Sequence, residues 1–142
     1  FMAIRQKSSR PSSPTLRAYG NELFDSLSSD PAFFARISLF SYLQDDSVRA
    51  GLDAEFRHSV EQVLPVLRQE IDRMGRRVPD DQTLWDLAVS VGALLEGLCL
   101  QYRIQPSRTP DVPLGDERWT LFSSAAEALL LAYTTPLEPG DG

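Results

Sequence analysis

Between Val78 and Gln105 the chain holds a stretch that is stable only as a helix covered from more than one side. Leu84, Ala88, Val91, Leu95, Leu98 and Tyr102 recur at spacings of three and four and make one face. Trp85, Val89, Gly92 and Cys99 make a second, and Ala93, Gly97 and Ile104 a third. A helix that is apolar all round must be buried on several sides. One small domain covers one side, which leaves the other to a partner chain. Oligomerisation is therefore expected before any family is considered.

At 142 residues, 42% hydrophobic and 24% charged, the chain has the bounds of one ordinary globular domain. Asp86 and Glu96 interrupt its most apolar window, so no membrane span and no membrane partner are expected. The N-terminus lacks the pattern of a signal peptide. The single cysteine, Cys99, has no internal partner for a disulfide, which fits a reducing, cytoplasmic setting. A net charge of −6 argues against the chain wrapping a nucleic acid by itself. Arg5, Lys7, Arg10 and Arg17 precede the first acid, Glu22. They are either a solvated leader or a junction to a basic domain.

Caps and periodicity lay out an all-α chain, an antiparallel bundle of about five helices. Phe1–Lys7 reads as the end of a linker helix, and residues 1–13 as that end plus a Ser/Arg/Pro linker. Residues 14–135 form the helical domain, and 136–142 a disordered tail. Ser13 and Pro14 start a helix with Leu16, Tyr19, Leu23 and Leu27 inward. Asp30-Pro31 starts a short one running to Leu43. Asp46 or Ser47 opens the longest, ended at Met74 by Gly75 after about seven turns, roughly 40 Å. Asp80 or Asp81 caps the Val78–Gln105 helix, and Gly115-Asp116 starts the last, with Trp119, Phe122, Ala126, Leu129 and Tyr133 repeating along it. No period-two alternation and no internal repeat is visible.

Signals of catalysis are thin. Glu55-Phe-Arg-His58 is a Glu-x-x-His pair, but di-iron bundles need two such pairs and this chain has one histidine. No zinc spacing, phosphate loop or nucleophile elbow occurs, so no catalytic residue, no metal and no cofactor is expected. Pro65 lies well inside the long helix, where it removes a hydrogen bond and crowds the Glu61 carbonyl. It reads either as a bend following the core or as a hinge that opens space between helices. Aromatic residues at core spacing around such a helix are either plain core or the lining of a pocket.

Helix order and short motifs together resemble the C-terminal ligand-binding and dimerisation domain of TetR-type transcriptional repressors, from about Ala3 to Tyr133. The resemblance rests on Ser29-Asp30-Pro31 before a short apolar helix and on the long Ser47–Met74 helix with its glycine exit. Val78-Pro79-Asp80-Asp81 follows, and above all Ala93-Leu94-Leu95-Glu96-Gly97-Leu98, near the family's Leu-(Asp/Glu)-Gly-Leu. The family's helix-turn-helix has no counterpart here, so DNA contact is expected only through a domain not in this chain. The resemblance implies a non-enzymatic homodimer whose last two helices form a four-helix interface using Ala93, Gly97, Trp119, Phe122, Ala126, Leu129 and Tyr133. It also implies an effector pocket. Leu23, Phe40, Phe56, Val60, Val63, Trp85 and Leu95 are its expected lining, with Tyr42, His58 and Cys99 as polar contacts to an apolar or aromatic small molecule. The alternative is a stand-alone helical adaptor for a partner protein, which would be monomeric alone.

Overall fold

Local chemistry starts each helix where a short polar side chain can take its unpaired amides. The structure, a computed structural model, describes residues 14–140, and the expected linker helix at Phe1–Lys7 lies outside them. Helix α1, Leu16–Leu27, is capped by Thr15, whose hydroxyl accepts from the Ala18 amide at 3.1 Å. Helix α2, Pro31–Ser38, has Asp30 as cap and Pro31 in its first turn, and a 3-10 turn, Leu39–Tyr42, follows. Helix α3, Asp46–Arg73, spans 28 residues from the Asp45 cap and runs through Pro65. Gly75, at φ +64°, lets the chain leave it. Helix α4, Asp81–Ile104, is capped by Asp80 onto the Thr83 amide at 2.7 Å. Helix α5, Leu121–Tyr133, starts with a reciprocal capping box between Thr120 and Ser123.

The fold is all-α. Its only sheet among the described residues is two pairs of two-residue antiparallel strands: β1, Arg76–Arg77, with β4, Thr135–Pro136; and β2, Asp111–Val112, with β3, Trp119–Thr120. Helix α4 packs between α3 and α5, and α1 lies along α5. The core is assembled from Leu67 and Ile71 of α3, Leu84, Leu87, Val91 and Cys99 of α4, and Phe122, Ala126 and Leu130 of α5. Leu16 and Phe24 of α1 and Phe33 of α2 close it. By length and composition α4 could cross a membrane, yet its inner side is part of this core.

Three expectations about boundaries need correcting. Helix α1 begins at Leu16, two residues past Pro14, because Thr15 supplies the capping hydroxyl. The last helix begins at Leu121, not near Asp116, because Trp119 and Thr120 pair across to Asp111–Val112. Residues 136–142, expected as a disordered tail, are in part pinned: Pro136 pairs with Arg76, and the Leu137 amide donates to the Gly75 carbonyl at 3.0 Å. Arg76 reinforces this by donating to the Thr134 carbonyl at 2.8 Å and to its hydroxyl at 2.7 Å.

Candidate functional site

On one flank of α4 the bundle leaves a cleft walled by α1, α2 and α3. Its inner part, about 180 Å³, is lined by Leu23 and Leu27 of α1, Phe33 of α2, Phe56, Val60 and Val63 of α3, and Ala88, Gly92 and Leu95 of α4. Tyr19, Arg36, Ser59, Gln62 and Glu96 add polar groups to this wall. An outer part of about 290 Å³ adjoins it and shares Arg36, Phe56, Ser59 and Glu96. Gly92 contributes directly to the room here, since a Cβ on it would meet no heavy atom within 4 Å. The lining is mostly apolar, with a few polar groups converging on it.

The charges around the cleft are mostly matched. Arg36 reaches Glu55 at 3.6 Å and lies 5.4 Å from the Phe33 ring centroid. Arg57 binds Asp53 at 3.0 Å. Glu96 is different: it is half-buried, and among the described residues it makes no hydrogen bond and no ion pair. Burial raises its carboxyl above the ordinary glutamate range, and the Arg36 charge opposes that rise. Burial also raises the Tyr19 phenol.

Of the expected lining, Leu23, Phe56, Val60, Val63 and Leu95 come together in the inner cleft. Phe40 stands on the outer part, and Trp85 lines a separate shallow recess with Phe56. The three polar contacts expected there lie elsewhere. Tyr42 is 62% exposed on the 3-10 turn. His58 is exposed and sits 3.1 Å from the Gln62 amide nitrogen, on the outer side of α3. Cys99 is fully buried core, its thiol pushed up to about 11 by burial and then by the Glu96 charge. Sequence reasoning missed Glu96 and Gly92 as wall residues. The signal was present: they are four apart, on the stripe that also carries Trp85 and Arg103.

The opposite flank of α4 is uncovered. Ala93, Gly97 and Ile104 are exposed there, Ser90 and Leu100 are half-buried, and the stripe between them bears no charge. On α5 the outward residues are Leu121, Ser124, Ala125, Ala128, Leu131 and Ala132, with one charge, the half-buried Glu127, at their edge beside Ser124, Ala128 and Leu131. The two stripes lie together because Tyr133, near the end of α5, meets Ser90, near the start of α4, with their hydroxyls 3.2 Å apart. Trp119, Leu129 and Tyr133 flank this face half-buried. Phe122 and Ala126, expected in a dimer interface, are 2% and 0% exposed, in the chain's own core. They face inward because α5 must bury one side against α1 and α4 before it can offer another.

Pro65 lies on the exposed side of α3. Downstream of it, the buried Glu70 carboxylate accepts from the Leu16 amide at 3.4 Å and from Arg73. Helix α3 thus joins the cleft, through Phe56, Val60 and Val63, to the start of α1. No family model matches the chain, and no curated protein or solved structure matches it either.

Proposed function

We propose that the chain is the effector-binding, homodimerising domain of a TetR-like transcriptional repressor. In this reading it is not an enzyme. It senses an apolar or aromatic small molecule and acts on DNA through a helix-turn-helix outside these 142 residues. The observation that carries the reading is the two-sidedness of α4: an apolar cleft on one flank and an uncharged, small-residue face on the other. Glycine inside a helix costs about 1 kcal/mol relative to alanine. Gly92 and Gly97 both accept that cost with no heavy atom near where a Cβ would stand. One leaves room for a ligand and the other for close approach of a second chain. Gly51, near the start of α3, has the same open surroundings, and nothing in the structure explains it.

The coupling is a population shift, in which a ligand stabilises the arrangement of α3 that it binds more tightly. Helix α3 then carries the preference to α1 through the Glu70–Leu16 contact. Sedimentation at micromolar concentration tests the assembly. A dimer is expected, with Gly97→Arg or Ala128→Arg giving monomer; a monomeric wild type would favour the adaptor alternative. An Ala126→Arg change is no test, since it disrupts the core of one chain. A melting-temperature screen of hydrophobic metabolites tests the cleft, with Trp85 fluorescence read in a Trp119→Phe background. The chain alone is expected to show no sequence preference in DNA mobility shifts, since nothing among the described residues is suited to reading base edges.

A further inference from the structure

We propose that the cleft is selective for a lipophilic organic cation, an amine joined to an aromatic or alkyl body, with Glu96 as its counter-ion. The inference deepens the effector-binding reading and rests on it. Charge accounting around the cleft supplies the argument. Arg36 is engaged from two sides, by Glu55 at 3.6 Å and by the Phe33 ring. In the outer part, Arg49 is held by Asp46 at 2.5 Å and Asp53 by Arg57 at 3.0 Å. Glu96 is the carboxylate left over, with neither ion pair nor hydrogen bond among the described residues.

Its position is as telling as its charge. Glu96 lines both parts of the cleft, so a head group beside it can send one end inward among Leu23, Val60 and Leu95 and another outward past Phe40. A partly desolvated carboxylate in apolar walls is costly unless paired, and a bound ammonium removes that cost through charge-assisted hydrogen bonds. The Tyr19 phenol, also without a hydrogen bond among the described residues, lines the inner part as a further polar contact. A carboxylate ligand meets the reverse situation: it must compete with Glu55 for Arg36 and approach the Glu96 charge, which Arg36 only partly offsets.

Three probes of one shape separate the possibilities: 4-phenylbutylamine, 4-phenylbutanol and 4-phenylbutyrate, titrated calorimetrically into the full chain at neutral pH. The amine is expected to bind at least about tenfold more tightly than the alcohol, and the carboxylate most weakly. In Glu96→Gln the amine's advantage should vanish while alcohol binding persists, which also reports that the variant is folded. The wild-type ordering stands as a test without the variant. Equal affinities, a preferred carboxylate, or an amine preference that survives Glu96→Gln would overturn the cation inference. If the alcohol binds in any of those cases, the cleft reading survives. Failure of all three probes overturns the cation inference too, and the melting-temperature screen then decides the cleft separately.

Discussion

Helix α1 has two sides, and they are built to opposite rules. Toward α5 it is locked. A Cβ on Gly20 would lie 3.2 Å from the Ser123 Cβ, so the backbones touch with no space between them. Beside it the buried Asn21 donates to the Arg118 carbonyl at 2.8 Å. Its own carbonyl accepts from the Thr120 amide at 3.0 Å and from the Ser123 hydroxyl at 2.6 Å. Outside this knot, Arg118 forks onto Asp25 at 2.6 and 3.0 Å and reaches Asp111 at 3.0 Å. Toward α2, α3 and α4 the same helix borders a cleft with open space at Gly92 and, at Glu96, a carboxylate with no ion pair among the described residues. Stability is concentrated where every polar group is met, and the groups left unmet among the described residues gather along the open cleft.

Paired aromatic truncations should break that comparison most visibly. Phe122→Ala, in the locked core, is expected to cost about 3–5 kcal/mol. Phe56→Ala, on the cleft wall and half-buried, should cost only about 1 kcal/mol. Urea denaturation at fixed protein concentration reads both as shifts in midpoint. Similar losses at the two sites would show that the cleft is as tightly packed as the core.

The polar knot comes next. Asn21→Ala removes its bonds to the Arg118 carbonyl, the Thr120 amide and the Ser123 hydroxyl. The Thr120 amide keeps Ser123 and the Arg118 carbonyl keeps Arg17, so about 1 kcal/mol should be lost. The same urea series checks this, and an unchanged midpoint would mean that water replaces the amide at no cost.

Glycine-to-alanine changes sharpen the contrast by sign. At Gly20 the added methyl must displace Ser123, so crowding should outweigh the gain in helix propensity by about 1 kcal/mol. At Gly92 nothing opposes the methyl, and a gain of about 0.5–1 kcal/mol is expected together with weaker binding of any cleft ligand. Melting curves with and without the amine probe measure both effects.

The smallest effect is a pH dependence. Glu96 has a raised folded-state pKa, so between the ordinary glutamate range and that raised value the native chain holds a proton that the unfolded chain has released. Stability contributed by the protonated form is therefore present below the window and lost as pH rises through it. Arg36 from α2 opposes the shift, Tyr19 from α1 and Glu55 from α3 face the same cleft, and Cys99 shares α4. Asp25 runs the other way: Arg118 lowers its pKa, so its contribution is lost on acidification. Subtracting the stability curve of Glu96→Gln from that of the wild type isolates the Glu96 contribution. A flat difference across mildly acidic pH would refute the assigned burial.

Where a helix begins was legible when one residue carried the whole signal. Asp30-Pro31 and Asp80 start α2 and α4 because an aspartate oxygen satisfies amides two or three residues ahead, with nothing distant involved. The start of α5 was not legible. Thr120 is both its cap and the strand partner of Asp111, and that pairing comes from across the loop. The cleft was half legible: Leu23, Phe56, Val60, Val63 and Leu95 announce an inner face by spacing. Tyr42 and His58 look equally eligible in a linear string, but the 3-10 turn and the outer side of α3 point them to solvent.

Periodicity and capping by themselves determined that this chain is helical, that α3 is long, and that α4 is apolar on every side, because these depend on neighbours within about one turn. Only the tertiary structure decided which side of each helix is spent inward. Phe122 and Ala126 read like Leu129 and Tyr133 along α5, yet contact with α1 and α4 buries the first pair and leaves the second half-buried. The same contacts leave Glu96 without an ion pair or hydrogen bond among the described residues, while Arg36, from a helix about sixty residues earlier, takes Glu55 instead. Pairing across that distance depends on where the helix axes come to rest, which no local pattern encodes.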